Sequence, residues 1–135
     1  DIVQGPYNIF DQSFFDDIKK EKISFNSNFE FHARSIFLQG LLLMKSSNLS
    51  NYFLKWRDLF DDYEKYVDSK NILKIQYCIF CALEDKRINK ILIGLEKLNQ
   101  LEEIINNVNN EIPLNINFRK FINTDVNLID PRQWD

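Results

Sequence analysis

Short apolar stretches of strand character occur three times along the chain, separated by segments whose apolar residues recur every three or four positions. Ile2-Val3 opens the first strand, which Gly5-Pro6 interrupts. Phe14, Phe15 and Ile18 then keep helical spacing, with Asp16, Asp17, Lys19 and Lys20 on the other side. Asp11 or Ser13 is the candidate cap of that helix, and Asn26-Ser27-Asn28 reads as a turn. In the second strand Phe29, Phe31 and Ala33 alternate with Glu30, His32 and Arg34. Ile36-Phe37-Leu38 then becomes apolar on both sides up to Gly40, as in a sheet covered on both faces. After a polar loop from Ser46 to Ser50, Phe53, Trp56, Leu59, Phe60, Tyr63 and Val67 predict a helix. A second helix runs from about Asn71 to Leu83, burying Ile72, Ile75, Ile79, Phe80 and Leu83. The third strand is Ile91-Leu92-Ile93, ending at Gly94. The helix after it, from about Leu98, aligns Leu101, Ile104, Ile105 and Val108. Residues 109–135 are polar and Asn-rich, punctuated by Pro113 and Pro131. They read as a tail anchored by Phe118, Phe121, Ile122 and Trp134.

Strands alternating with helices imply βαβ units and a parallel sheet. Three parallel strands alone leave two open edges beside large apolar surfaces. An arc of a (β/α)8 barrel accounts for this better, and a whole barrel needs about 250 residues. The expectation is therefore an α/β fold: the C-terminal arc of a TIM barrel, three βα units with extra helices, over residues 1–108, with residues 109–135 as a tail packed on it. The start at Asp1, directly followed by an apolar pair, reads as a cut.

Composition narrows the function classes. The net charge is −3, so the chain has no electrostatic footprint for nucleic acid or an anionic membrane surface. No stretch approaches the roughly 20 consecutive apolar residues of a membrane span, and no signal peptide is evident. The two cysteines form a CxxC, Cys78 and Cys81, which can signal a redox pair or half a zinc site. His32 is the only histidine, so four good zinc ligands are lacking, and the motif lies in an apolar helical pattern where thiols serve as core. No metal is expected. Unbridged thiols fit a cytoplasmic protein.

Three segments, in order, resemble the aldo/keto reductases. Val3-Gln4-Gly5-Pro6-Tyr7-Asn8 is similar to the family's sixth barrel strand. Arg34-Ser35-Ile36-Phe37-Leu38-Gln39-Gly40-Leu41-Leu42 is similar to its seventh strand and loop. Ile91-Leu92-Ile93-Gly94-Leu95 with Gln100-Leu101-Glu102-Glu103 is similar to its eighth strand and helix. The resemblance covers residues 1–108. It implies an NAD(P)H-dependent oxidoreductase that reduces a small carbonyl substrate by hydride transfer. The family's catalytic tetrad of Asp, Tyr, Lys and His belongs to upstream units, so no catalytic residue is assigned in this chain. His32 stands on the wrong strand for it and reads as structural.

The same resemblance implies the cofactor contacts. Gln4, at a strand's C-terminal end, can offer a donor and an acceptor to a nicotinamide carboxamide, or satisfy backbone groups at the barrel rim. Ser35 and the backbone of Leu38, Gln39 and Gly40 are placed for the pyrophosphate. Arg34 departs from the family, which often has an aromatic there to stack on the nicotinamide. A guanidinium can stack too, or pair with a phosphate or an acidic substrate. Gly94 precedes a helix N-terminus suited to anions. Gln100 and Glu103 match adenosine contacts, with Glu103 accepting from the adenine amino group. Lys97 either neutralises the 2′-phosphate of NADP or is simply solvated. Ile36 replaces a usual Pro and Ile104 a frequent Asn. The cofactor is expected to be NADP or NAD. The competing reading is a non-catalytic, nucleotide-binding or self-assembling partial barrel, and either reading predicts self-association of the isolated chain.

Overall fold

A computed structural model of the chain describes residues 1–20, 29–109, 111 and 114–134. The turn expected at Asn26-Ser27-Asn28, and Pro113, lie outside the described residues. Strands β1 (Ile2–Pro6), β2 (Glu30–Arg34) and β3 (Lys90–Ile91) form a parallel sheet in the order β1-β2-β3. Helix α1 (Phe14–Lys20) lies between β1 and β2 in the chain, and α2 (Arg57–Ser69) and α3 (Lys74–Glu84) lie between β2 and β3. Helix α4 (Leu98–Val108) follows β3, and a single-turn helix α5 (Val126–Ile129) sits in the tail. The register pairs Gln4 with His32 and Pro6 with Arg34 across β1 and β2, and His32 with Lys90 across β2 and β3.

The sequence pattern located the three strands and helices α1 to α4, while α5 was not foreseen and four boundaries moved. The second strand stops at Arg34, because Ser35 adopts φ 60° and turns the chain out of the extended region. Ile36 and Leu38 are buried as expected, but in a turn closed by the Leu38 N–H on the Ser35 carbonyl at 2.9 Å, not in a strand covered on both faces. The helix predicted after Ser50 begins as 3-10 turns over Asn51–Trp56 and becomes α-helical only at Arg57; Ser50 makes no side-chain cap bond. Asn71, at φ 53°, delays α3 to Lys74. β3 contributes only Lys90–Ile91, with the Leu92 N–H extending the pairing to the Ala33 carbonyl at 2.8 Å.

One core joins all of this. Phe60, Tyr63 and Val67 of α2 meet Ile75, Ile79 and Phe80 of α3, while the expected Leu83 stays exposed. Phe10 packs edge-on against Phe60 with ring centroids 5.4 Å apart. The tail has little regular structure, so its backbone groups need other partners. Side chains supply them: the Tyr77 hydroxyl donates to Asn117 O, the Tyr66 hydroxyl accepts from Asn117 N, and the Trp56 indole donates to Asp125. Phe121 and Leu128 enter the core, Phe118 and Trp134 pack against it half-buried, and Ile122 faces solvent.

Cys78 and Cys81, one turn apart on α3, are both buried and unbridged. Burial pushes the Cys78 thiol up to about 12 and raises that of Cys81 further. At neutral pH both are therefore protonated, poor nucleophiles that pack as small apolar groups. Among the described residues no helix is long and apolar enough to cross a membrane.

Asp85, just after α3, accepts from the Tyr7 hydroxyl at 2.9 Å and pairs with Arg87, tying the exit of β1 to the exit of α3. The Arg87 hydrogen bonds hold its carboxyl down to about 2, from an ordinary 3.8. A depressed carboxyl stabilises the fold fully above its unfolded value, and that contribution disappears as pH falls through the folded one. Discounted for the solvent-facing side of the pair, the loss between pH 4 and pH 2 is expected to be about 1–2 kcal/mol. Urea unfolding across that range should show it, and an Asp85→Asn variant should lack that part of the slope. An unchanged slope in the variant would remove Asp85 as its source.

Candidate functional site

Alternation along the strands sorts the sheet into two faces. Val3, Gly5, Phe31 and Ala33 share one, where Phe14 of α1 stacks on Phe31 with centroids 4.2 Å apart. Gln4, Glu30, His32, Arg34 and Lys90 share the other, which is polar and charged. His32 is buried there and bonds the Glu30 carboxylate at 2.9 Å, with Lys90 3.6 Å from the same oxygen. The His32 hydrogen bond, then the Lys90 charge, lowers the Glu30 carboxyl below its usual value. His32 thus has one ring nitrogen engaged with Glu30, on the same face as Gln4 and Arg34.

At the C-terminal ends of the strands the polar face opens into a cleft of about 780 Å³. Gln4 borders it from β1, Arg34 and Ser35 from the end of β2, and Gln39 and Gly40 from the loop beyond. Gly94, Glu96, Gln100 and Glu103 form the opposite wall, from the exit of β3 into α4. Ile75 of α3 and Ile104 of α4 contribute apolar floor. A cleft of this size with convergent polar groups is of the kind that holds a small molecule or cofactor.

The loop after β2 has an unusual backbone. Ser35, Leu38, Gln39 and Gly40 all take positive φ, at 60°, 47°, 55° and 83°. Only Gly40 does so without steric cost, and such strain persists where surrounding structure enforces it. Asn8 is part of that enforcement. It is buried, its side-chain oxygen accepts from Phe10 N at 2.9 Å and Asp11 N at 3.0 Å, and its amide donates to the Ser35 carbonyl at 3.4 Å. Among the described residues no acceptor meets the backbone N–H of Gln39 or Gly40. Gln39 and Gly40, with these uncommitted amides, border the cleft together with Ser35, whose hydroxyl the Arg34 guanidinium approaches at 3.4 Å. Such a group of donors suits an oxyanion.

At the opposite wall the Gln100 side-chain oxygen accepts from Glu96 N at 2.9 Å and Lys97 N at 3.1 Å, capping α4. It thereby occupies amides that an anion at this helix end would compete for.

Eight of the ten residues that the resemblance pointed to border this one cleft: Gln4, Arg34, Ser35, Gln39, Gly40, Gly94, Gln100 and Glu103. Leu38 does not. It is 1% exposed, and its N–H is spent on the Ser35 carbonyl. Lys97 does not border it either; it stands exposed at the α4 N-cap. Sequence reasoning passed over Glu96, which adds a second carboxylate to the wall with Glu103. It also gave Asn8 no role. The signal was present in its place next to Tyr7 at a strand exit, where Asn side chains commonly bond nearby backbone. No family model, curated protein or solved structure matches the chain.

Proposed function

We propose that this chain is the cofactor-binding arc of an NAD(P)H-dependent aldo/keto reductase, a (β/α)8 barrel whose acid–base residues stand on strands outside it. The observation that carries the reading is the cleft at the C-terminal strand ends, where Gln4, Arg34, Ser35, Gly40, Gly94, Gln100 and Glu103 come together from three βα units. Barrel enzymes work at that end of their strands. The sheet supports the arc as well: its strands are parallel and sequential, α1 covers the apolar face, and the charged face that would line a barrel interior carries Gln4 and Arg34.

The residues present fit a pyridine dinucleotide. Gln4 can hold a carboxamide through both its donor and its acceptor, which fixes the plane of the ring. The Gln39 and Gly40 amides and the Ser35 hydroxyl suit a pyrophosphate. Glu103 can accept from an exocyclic amino group. The cofactor, when bound, supplies a hydride for a carbonyl carbon; the protein orients it and excludes water. Either NADP or NAD suits this cleft, and the reading carries with it a cytoplasmic enzyme whose barrel is completed by units outside this chain.

Titration of the chain with NADPH, followed by its fluorescence, should show saturable binding. Changing Gln4 and Glu103 together to Ala should weaken binding at least tenfold. Unchanged affinity would return both residues to rim packing.

A second reading, a self-assembling partial barrel, draws on a different observation. Leu98, Leu101, Ile105 and Val108 form an exposed apolar stripe on α4, where Asn107 is buried instead, its amide on the Glu103 carbonyl at 2.7 Å. Together with the β1 and β3 edges, unpaired among the described residues, this surface needs cover. The isolated chain is therefore expected to self-associate, and sedimentation that stayed monomeric at all concentrations would count against both readings.

A further inference from the structure

We infer that the substrate of this cleft is an acidic carbonyl compound, a 2-oxo acid or similar, whose carboxylate is held by Arg34. This rests on the reductase reading and narrows it to a substrate class. The register places Arg34 on the same sheet face as Gln4, one alternation step nearer the C-terminal strand ends. It therefore stands at the end of the cleft where a nicotinamide held by Gln4 would react. Its only side-chain bond among the described residues is to the Ser35 hydroxyl, at 3.4 Å. Arg87 and Arg132, by contrast, each bond an aspartate directly.

An unpaired guanidinium in a cleft is costly to enclose, because a ligand that fills the space strips its water unless it brings an anion. Planar forked donors suit a carboxylate, which they bind with two parallel hydrogen bonds. A pyrophosphate has other donors in the Gln39 and Gly40 amides, so Arg34 is left for the reacting end. Charge adds a second argument. The oxidised nicotinamide ring is positive, and beside Arg34 it meets a like charge that a substrate carboxylate would neutralise. Oxidised cofactor and acidic substrate should then bind cooperatively, each tightening the other by the same factor.

The test is a fluorescence titration of the chain with NADPH and with NADP+, alone or with phenylglyoxylate or its methyl ester. The expected result is NADP+ affinity raised at least tenfold by phenylglyoxylate and not by the ester. In Arg34→Gln the enhancement by phenylglyoxylate should vanish. Equal effects of acid and ester, with NADPH binding intact, would overturn the inference and leave the reductase reading standing. A loss of NADPH affinity beyond tenfold in Arg34→Gln would make Arg34 a cofactor-phosphate ligand and overturn it too. Absence of NADPH binding to the unchanged chain would overturn the reductase reading, and this inference with it.

Discussion

Replacing Asn8 by Ala is expected to lower stability by about 3 kcal/mol and to abolish measurable NADPH binding in the molecules that still fold. The side chain is 1% exposed and makes three hydrogen bonds to backbone groups, at Phe10, Asp11 and Ser35. Truncation leaves two buried N–H donors and a carbonyl without that partner, and each orphaned group costs about 1–3 kcal/mol, partly recovered by water. The Ser35 carbonyl also accepts from the Leu38 N–H, so its loss is the mildest of the three. The consequence for the cleft follows from strain. Ser35 holds φ 60°, and relaxing it would move its hydroxyl and the start of the Gln39-Gly40 donor pair. Denaturant midpoints would measure the stability loss, and an Asn8→Asp variant, which keeps the acceptor, should lose markedly less. If Asn8→Ala unfolded like the unchanged chain, the account of how the loop is held would fail.

The way these elements arise explains which of them the sequence revealed. Helices α2 and α3 were legible because a face of large apolar residues at spacing three and four has few other uses. The run Ile36-Phe37-Leu38 was misread because a short apolar run is equally compatible with a buried strand and a buried turn. What decides between them is the left-handed backbone at Ser35, Leu38 and Gln39, and none of these residue types signals positive φ. On α4 the apolar positions were found, but of them only Ile104 packs against the core, while Leu101, Ile105 and Val108 face outward.

The candidate site divides in a similar way. Gln4, Arg34 and Glu103 entered through resemblance of short motifs; periodicity alone would have treated them as exposed polar positions. Leu38 fell away because a motif specifies a loop and not which of its amides stay free. Asn8 carried a local signal at the strand exit, but its bond to Ser35, 27 residues away in sequence, and the wall that Glu96 completes arise only from the fold.

Gly5 joins the fold to the site, and Gly5→Ala is expected to cost about 2–3 kcal/mol. Its backbone is not left-handed, so conformational freedom is not the issue. Space is: a Cβ here would lie 2.5 Å from Phe14 Cδ2 and 2.9 Å from Phe31 Cε2. Phe31 is fully buried with Phe14 stacked on it, and Phe15 meets the same ring edge-on at 4.8 Å. Forcing a methyl into such a cluster typically costs about 1–3 kcal/mol, against less than about 1 kcal/mol gained by stiffening the unfolded chain. Because Gly5 and Gln4 point to opposite faces, the displaced helix α1 lies on the side away from the cleft. Stability should therefore fall while NADPH affinity in the folded fraction changes little. A Gly5→Ala, Phe14→Leu double variant, which makes room for the methyl, should lose less than the sum of the two single changes. Strict additivity would mean that Phe14 is not seated on Gly5. A large loss of NADPH affinity in Gly5→Ala would instead mean that the two faces of this small sheet do not act independently, and that the packing of α1 sets the position of Gln4.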